Sequence, residues 1–391
     1  MRIDSIIVAR SLPALAAVAL LAVGMPTQAV GQEKKDAEAQ SRGKPNIVFV
    51  LADDLGVGDV KCFGGDRCKI ATPHWDRLAA EGMRFTDARV NASVCVPTRM
   101  AIMTGRYPWR FGRPAPGGPW GFLGLRFPVG QHTLGTMFKQ AGYRTGYVGK
   151  WHLGTKMRTK DGKTQGERNV DYSQPIEIGP PQFGFDESFI LPGSLDMYPY
   201  VFARNNRWVG KVTTRKGWSA FNRVGDTTED FEDYKVLDEF SKQAEAFIAD
   251  SAKNASQRQP FFLFFALTSP HTPTSPSPKF EGKSKLGLYG DFVRETDHCL
   301  GRILAALEAN GLAENTLILA ASDHGPAAYA GNIRKATFGQ LQALEKKGHY
   351  SRGTFRGYKF SVYEGGLRTP LVARWPGKVK PGAVCDRLVG L

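Results

Sequence analysis

The hydrophobic positions of this chain gather in four short apolar runs, each followed directly by polar residues. We predict strands over these runs, at 46–52, 143–149, 261–268 and 316–321. Helical segments at 133–141 and 289–310 lie between them, and Gly311 is a natural end for the second. Strands that alternate with helices are typical of a mostly parallel sheet between helices. The pattern therefore predicts an α/β fold built on a large, mostly parallel mixed sheet.

Residues able to bind metals or anions follow each of the four predicted strands. In chain order they are Asp53 and Asp54, Lys150 and His152, His271, and Asp323 and His324. Ligands of open α/β sheets bind outside the carboxyl ends of the strands, so we expect these side chains to converge. Each cluster alone has an ordinary explanation, such as a turn or a helix cap after a strand. Four clusters in the same structural position favour one shared site.

The carboxylates among these residues predict a bound divalent cation. Asp53, Asp54 and Asp323 supply the oxygen ligands that calcium and magnesium prefer. His324 is less typical of calcium and leaves zinc or manganese open. The sequence has neither a thiolate pair nor a His-x-x-x-His spacing, and we therefore favour Ca²⁺.

A cysteine motif carries further chemistry. Cys95 lies two residues before Pro97, which we predict as the first residue of a short apolar helix that ends at Gly105. Arg99 lies one helical turn beyond the cysteine and on the same side. A helix N-terminus and a nearby guanidinium both favour negative charge, so the motif predicts a site for an oxyanion and an anionic substrate. A buried structural cysteine on a core helix is the alternative for this motif taken alone.

The N-terminal segment is typical of export. Arg2 and Arg10 precede an apolar stretch at 12–24 and a small-residue cleavage site that ends at Ala29. We predict a signal peptide over 1–29, a flexible polar tether over 30–45 and a catalytic domain over 46–391, with the mature protein periplasmic or secreted. An uncleaved anchor is the alternative. The apolar stretch is short for a membrane span, so we expect no stable span after cleavage.

The net charge of the chain limits the classes of binding partner that we expect. The 391 residues carry a net charge of +15, which suits nucleic acid or polyanionic glycans. The sequence has no zinc-finger spacing, RRM signature or compact Lys/Arg block, so no nucleic-acid partner is expected.

The chain has five cysteines, and an odd number leaves at least one unpaired or modified in an exported protein. Cys95 is the candidate for that one, whereas Cys62 and Cys68 are close enough in sequence to close a small loop.

Several segments together resemble the type I sulfatases, which are formylglycine-dependent arylsulfatase-like enzymes of the alkaline-phosphatase superfamily. The similar segments include CVPTRMAIMTGR at 95–106, GKWHLG at 149–154 and SDHG at 322–325, besides 45–56 and 358–370. The resemblance implies an alkaline-phosphatase-like α/β sandwich and a sulfatase acting on sulfated carbohydrates or aryl sulfates. Members normally continue into a small C-terminal subdomain, which we expect to be missing or truncated here.

The resemblance also implies roles for individual residues. Cys95 would be converted to formylglycine by a formylglycine-generating or an anaerobic sulfatase-maturating enzyme, and the hydrated aldehyde would be the nucleophile. The cation would be held by an oxygen of the modified residue together with Asp53, Asp54, Asp323 and His324. Arg99 would activate the hydrate, and the sulfate would be bound by Lys150, His271 and Lys359. His271 or Lys359 would protonate the leaving oxygen, and His152 would take the proton that releases sulfate.

Three further interpretations stay open at the level of sequence. His349 precedes the loop at 351–357, and we predict that it lines the substrate pocket, with a solvated loop histidine as the alternative. A phosphatase or phosphodiesterase of the same superfamily would need Ser, Thr or unmodified Cys as nucleophile, and the intact Cys-x-Pro-x-Arg motif argues against it. An inactive, truncated binder of sulfated glycans is the third, and the presence of every charged catalytic position argues against it.

Overall fold

The computed structural model describes residues 43–217, 221–253, 259–331 and 339–391. The predicted signal peptide and most of the predicted tether lie outside the described residues. Residues 44–391 form one compact unit. No helix within the described ranges has the length and apolar character needed to cross a membrane.

Fourteen strands and eight α-helices lie within the described ranges. The strands are β1 (Asn46–Asp53), β2 (Met83–Phe85), β3 (Ala88–Arg89), β4 (Arg144–Lys150), β5 (Glu187–Leu191), β6 (Ala203–Arg204), β7 (Arg207–Trp208), β8 (Val212–Lys216), β9 (Gly225–Thr228), β10 (Phe261–Pro270), β11 (Thr316–Ser322), β12 (Leu371–Arg374), β13 (Ala383–Cys385) and β14 (Val389–Gly390). The helices are α1 (Lys61–Gly64), α2 (Pro73–Glu81), α3 (Cys95–Thr104), α4 (Leu134–Gln140), α5 (Val236–Lys253), α6 (Gly287–Ala309), α7 (Gln340–Lys346) and α8 (Glu364–Leu367).

Ten of these strands form one mixed sheet in the order β13-β2-β12-β11-β1-β10-β4-β5-β6-β7. The five central strands, from β11 to β5, pair in parallel. Antiparallel strands continue the sheet on both sides of them, β12 and β2 on one side and β6 and β7 on the other. The predicted α/β class with a large, mostly parallel mixed sheet is confirmed.

Burial on both faces explains why the central strands are continuous apolar runs. Every residue of β10 is buried, and all of β1 except Ile47 is buried. Helices α5 and α6 pack against each other and against β10. Aromatic pairs such as Phe247 with Phe261, at 5.8 Å between ring centroids, fill the layer between helix and sheet. Parallel strands covered on both sides show this kind of sequence rather than an alternating one.

Strand pairing runs further than the hydrophobic pattern predicts. All four predicted strands continue into their polar residues, to Asp53, Lys150, Pro270 and Ser322 respectively. The register pairs Asp53 with Pro270 and Ala52 with Ser322. Asp53 and Lys150 therefore lie within strands, on rigid backbone, and the other polar residues of the four clusters lie within two residues of a strand end.

The cysteines and the helix after Cys95 differ in detail from the prediction. Helix α3 begins at Cys95, so Pro97 is its third residue and not its first. Proline is tolerated there because the first four N–H groups of a helix have no intrahelical partner. Gly105 ends the helix in the left-handed region, with φ 64°, as predicted. Cys62 and Cys68 are both free thiols, so the small loop is not closed by a disulfide.

Candidate active site

The polar clusters converge at one edge of the sheet, as the strand order requires. Strands β11, β1, β10 and β4 are neighbours, so their carboxyl ends meet there. Helix α3 brings its N-terminus to this edge, and the loop before α8 adds one lysine. The residues assembled in this way are Asp53, Asp54, Cys95, Arg99, Lys150, His152, His271, Asp323, His324 and Lys359, and each is less than 9% exposed.

Cys95 lies at the centre of the cluster and is 3% exposed. Its Sγ lies 3.2 Å from Nε2 of His324, 3.4 Å from Nζ of Lys359 and 3.6 Å from Oδ1 of Asp53. As the first residue of α3 it also sits at the positive end of a helix. Negative charge that develops at this position meets an ammonium group and helix N–H groups in a water-poor site, where such groups are most effective.

Arg99 ties the carboxylates of two strands together. Its Nη2 lies 3.3 Å from Oδ2 of Asp53 and 3.0 Å from Oδ2 of Asp323, and its Nη1 donates to the carbonyl of Lys150 at 3.3 Å. Burial opposes the charge of the guanidinium, but the two carboxylates outweigh it and raise the pKa of Arg99. The group therefore stays cationic beside Cys95.

Two buried lysines neutralise the two aspartates at the carboxyl end of β1. Nζ of Lys150 lies 2.5 Å from Oδ2 of Asp53, and Nζ of Lys359 lies 2.8 Å from Oδ1 of Asp54. Burial alone would raise the pKa of Asp53, but the positive charges of Lys150, Arg99 and Lys359 hold it well below the usual range. Burial likewise opposes the charge of Lys359, yet Asp54 and Cys95 raise its pKa well above normal. Both ammonium groups are thus charged in the site.

Gly149 allows β4 to lie close to β10, and this places Lys150 in the site. Its φ is 124°, a conformation that side chains rarely permit, and a Cβ there would lie 1.7 Å from the carbonyl oxygen of Ala266. Only glycine fits this approach without moving one of the two strands.

His152 and His271 are neutral rings inside this cationic pocket. Burial and the Lys359 charge lower the pKa of His271 well below its ordinary value, and burial with Lys150 and Arg99 does the same for His152. Nδ1 of His271 lies 2.5 Å from the carbonyl oxygen of Thr272, to which it donates. Nδ1 of His152 is buried without a hydrogen-bond partner among the described residues. A neutral ring of this kind is able to accept a proton.

His324 has the geometry of a metal ligand. Its Nδ1 donates to the carbonyl of Gly325 at 2.9 Å, which leaves Nε2 facing Oδ1 of Asp54 at 3.4 Å and Oδ1 of Asp323 at 3.5 Å. A backbone partner on one ring nitrogen is the usual way of orienting a histidine ligand. Burial lowers the pKa of His324, but Asp323, Cys95 and Asp54 together outweigh this and raise it to about 9.

The donor set fits a divalent cation. One ligand atom from each of Asp53, Cys95, Asp323 and His324 lies within 4.8 Å of the others, and Asp54 joins a second, overlapping group with His271. Carboxylate oxygens are the ligands of hard cations such as Ca²⁺ and Mg²⁺. The cluster is therefore a candidate metal site.

The structure does not bring His349 into this cluster. Its Nδ1 accepts from the backbone N–H of Lys69 at 3.1 Å, and its Nε2 donates to Oδ1 of Asp59 at 2.9 Å. The side chain is fully buried. Oδ2 of Asp59 also accepts from the hydroxyl of Tyr289 at 2.6 Å and from the N–H of Gly56 at 2.8 Å. His349 thus supports the turn that follows β1.

Two residues beside the site escaped the sequence analysis. Oδ1 of Asp196 lies 3.8 Å from Nδ1 of His271, and its Oδ2 accepts from Arg223 at 3.0 Å. Burial raises the pKa of this carboxyl. Asp196 follows β5, whose apolar residues at 189–191 are the signal that would have pointed to it. Tyr329, whose ring centroid lies 5.9 Å from Nζ of Lys359, has no such signal in the sequence.

This arrangement defines a hydrolase of anionic esters built on an α/β fold, with a buried reactive position surrounded by fixed cations and a carboxylate cluster. A family model described as Sulfatase matches residues 45–389. The chain belongs to the sulfatase family, whose members are sulfuric ester hydrolases, and the fold is consistent with the alkaline-phosphatase superfamily.

Individual relatives cover most of the chain. An N-acetylgalactosamine-6-O-sulfatase of Bacteroides thetaiotaomicron is 34% identical over 96% of this chain and 75% of its own length. A steryl-sulfatase of Rattus norvegicus is 32% identical over 86% of this chain and 63% of its own length. A solved structure connected with glycosaminoglycan metabolism by Bacteroides thetaiotaomicron superposes with a TM-score of 0.74 at 30% identity, over 89% of this chain and 75% of that one. The chain thus spans about two thirds to three quarters of these relatives.

Proposed function

We propose that this protein hydrolyses sulfate esters of carbohydrates. The observation that carries the proposal is the position of the Cys95 side chain, buried at a helix N-terminus within 3.4 Å of Lys359 and 3.2 Å of His324. A relative with 34% identity acts, by its name, on a 6-sulfated amino sugar. That relative favours a sugar over the sterol that the rat relative's name implies.

Cys95 is the proposed origin of the nucleophile. Conversion of its side chain to formylglycine would supply a hydrated aldehyde with two hydroxyl groups at the position of Sγ. Nη2 of Arg99 is held between Asp53 and Asp323, beside that position, and favours an ionised hydroxyl there. A thiol lacks the second hydroxyl, and an unmodified Cys95 would not release sulfate in the same way.

Lys150, Lys359 and His271 are the proposed sulfate ligands. Their side chains come from β4, the loop before α8 and the end of β10, and they surround the Cys95 position from different directions. Both lysines are charged in the site, so they offset the negative charge that moves onto the leaving oxygen. No reorganisation is needed during the reaction, because Asp53 and Asp54 already hold the two ammonium groups in place.

Two proton transfers complete the proposed reaction, one to the departing alcohol and one from the Cys95 position. Lys359, which is protonated in the site, gives its proton to the oxygen of the departing alcohol. Neutral His271 uses its single N–H on the carbonyl of Thr272, so it binds the sulfate group rather than protonating the alcohol. His152, whose low pKa keeps the ring neutral and whose Nδ1 has no partner among the described residues, takes a proton from the Cys95 position as sulfate leaves.

Asp53, Asp54, Asp323 and His324 are the proposed ligands of a divalent cation, and we propose Ca²⁺ because three of the four are carboxylates. When bound, the cation supplies positive charge that polarises the sulfate and favours ionisation at the Cys95 position.

Export is also part of the proposal and rests on the signal-like pattern of residues 1–29. Because Cys95 is buried in the folded chain, a maturating enzyme that oxidises it would act before folding is complete.

The proposal is tested by mass spectrometry of the Cys95 peptide together with turnover assays. Protein made in a host that matures sulfatases is expected to carry an aldehyde at Cys95 and to hydrolyse N-acetylgalactosamine 6-sulfate faster than the matching phosphate ester. Cys95→Ala should abolish turnover. Cys299→Ala is the matched control, because Cys299 is also a buried free thiol but lies on α6.

Each alternative has its own outcome in that experiment. An unmodified thiol with dominant phosphate-ester turnover would establish the phosphatase. Binding of sulfated glycans without turnover of any sulfate ester would establish the inactive binder.

A further inference from the structure

Phe360, the residue after the site lysine Lys359, has an unusual conformation. Its φ is 70°, a region that large side chains avoid, and the residue is 65% exposed. Neither feature stabilises the folded chain, since the backbone is strained and little apolar surface is buried. Strain of this kind concentrates at functional sites, where the surrounding structure holds it in place.

The exposed side chain of Phe360 lies beside the site lysine. Nζ of Lys359 lies 5.5 Å from the Phe360 ring centroid and 3.4 Å from Sγ of Cys95, so the same ammonium group is near both the ring and the reactive position. The N–H of Phe360 donates to the carbonyl oxygen of Ser93 at 3.0 Å, two residues before Cys95. The backbone is therefore fixed to the same segment that supplies the proposed nucleophile.

A second aromatic ring supports Phe360 from one side. The rings of Tyr329 and Phe360 stack with centroids 6.2 Å apart and an angle of 20° between their planes. Phe221 packs on Tyr329 at 5.3 Å. The three rings form a wall beside Lys359, and Phe360 is its exposed end.

We propose that Phe360, backed by Tyr329, is the platform on which the sugar ring that bears the sulfate stacks. With the sulfate held at Lys150 and Lys359, the ester oxygen places its sugar ring next to the residue that follows Lys359. The C–H face of a pyranose ring carries partial positive charge and complements the negative face of an aromatic ring. This inference rests on the proposed function and makes Phe360 a specificity-determining residue.

The experiment compares Phe360→Gly, Phe360→Tyr and the matched control Val362→Gly. Val362 is 86% exposed and lies two residues further along the same loop. KM and kcat are measured for N-acetylgalactosamine 6-sulfate, inhibition is measured with inorganic sulfate, and the melting temperature is recorded. Binding of the same sugar sulfate is measured by calorimetry in the Cys95→Ala background, where turnover does not interfere.

Phe360→Gly is expected to raise both KM and the dissociation constant for the sugar sulfate about five- to tenfold, as the loss of one stacked ring predicts. Its inhibition by inorganic sulfate should be unchanged, because that anion has no ring to stack. Its melting temperature should rise, because glycine adopts φ 70° without strain. Phe360→Tyr and Val362→Gly should behave like the unaltered protein.

Unchanged affinity of Phe360→Gly for the sugar sulfate overturns the platform, and so does an equal loss of affinity for inorganic sulfate. A lower melting temperature with unchanged affinity would make the ring structural instead. An unaltered protein that binds sugar sulfate through Phe360 but turns over no sulfate ester would refute the proposed function and leave the platform intact.

Discussion

The ammonium nitrogen of Lys359 lies 3.4 Å from the sulfur of Cys95, although 264 residues separate the two in sequence. Two backbone bonds hold this arrangement. The N–H of Lys359 donates to the carbonyl of Pro326, and the N–H of Phe360 donates to that of Ser93. The loop before α8 is thus fastened both to the segment after β11 and to the segment before α3, which places one cation between the cysteine and Asp54.

Replacing Lys359 should test its role directly. Lys359→Met is expected to lower kcat/KM for sulfate esters about a hundredfold, because a fixed cation is lost where charge develops. Lys378→Met is the control, since Lys378 is exposed on the surface. A change of less than about twofold in steady-state kinetics would show that Lys359 is only a structural partner of Asp54.

Removal of the cation should destabilise the protein. A ligand that binds only the native state raises its melting temperature, so a chelator is expected to lower both the melting temperature and the activity. Asp323→Asn should abolish the response to the chelator, whereas Asp66→Asn, an exposed control, should retain it. Elemental analysis that finds no divalent metal in an active preparation would contradict the site.

His349 and Asp59 should matter for stability rather than for substrate binding. Asp59→Ala leaves the Tyr289 hydroxyl, the Gly56 N–H and His349 without their acceptor, and is expected to lower the free energy of unfolding by about 3 kcal/mol or more. His349→Ala should cost about 2 kcal/mol and leave KM within about twofold. Urea denaturation and kinetics separate the two effects, and a raised KM with normal stability would instead place His349 in the substrate pocket.

The pH dependence of stability should reveal two buried carboxyls on α6. Burial raises the pKa of Asp297 and of Glu295 to about 7. Between the ordinary pKa near 4 and this value the folded state binds more protons than the unfolded state, so the free energy of unfolding falls as pH rises to about 7 and then levels off. The loss is expected to be on the order of a few kcal/mol for each of the two carboxyls.

The double variant Asp297→Asn, Glu295→Gln isolates this contribution. Asn retains an acceptor for the N–H groups of His74 and Trp75, and Gln retains contacts with Ser277. Unfolding measured at several pH values should show a flatter profile for the double variant than for the unaltered protein. Parallel profiles for the two proteins would contradict the assignment.

Local patterns were enough to predict four of the five central strands and the polar groups at their ends. Strands buried on both faces are apolar along their length, so the apolar runs that precede Asp53, Lys150, His271 and Asp323 are recognisable in the sequence. The end of α3 at Gly105 is equally local, because a left-handed residue after a short helix favours glycine. These features depend on neighbours in the chain, and the α/β class follows from them.

Other properties depend on contacts between distant segments, and the sequence pattern does not contain them. The register that pairs Leu191 with Lys150 brings β5, and hence Asp196, to the site. His349 is a site residue or a structural one according to which carboxylate packs against it, and that carboxylate is Asp59. The exposure and strain of Phe360 arise because its backbone is bonded to Ser93 while its ring meets Tyr329. Such distances are set by strand order and by packing across hundreds of residues, so only the assembled fold fixes them.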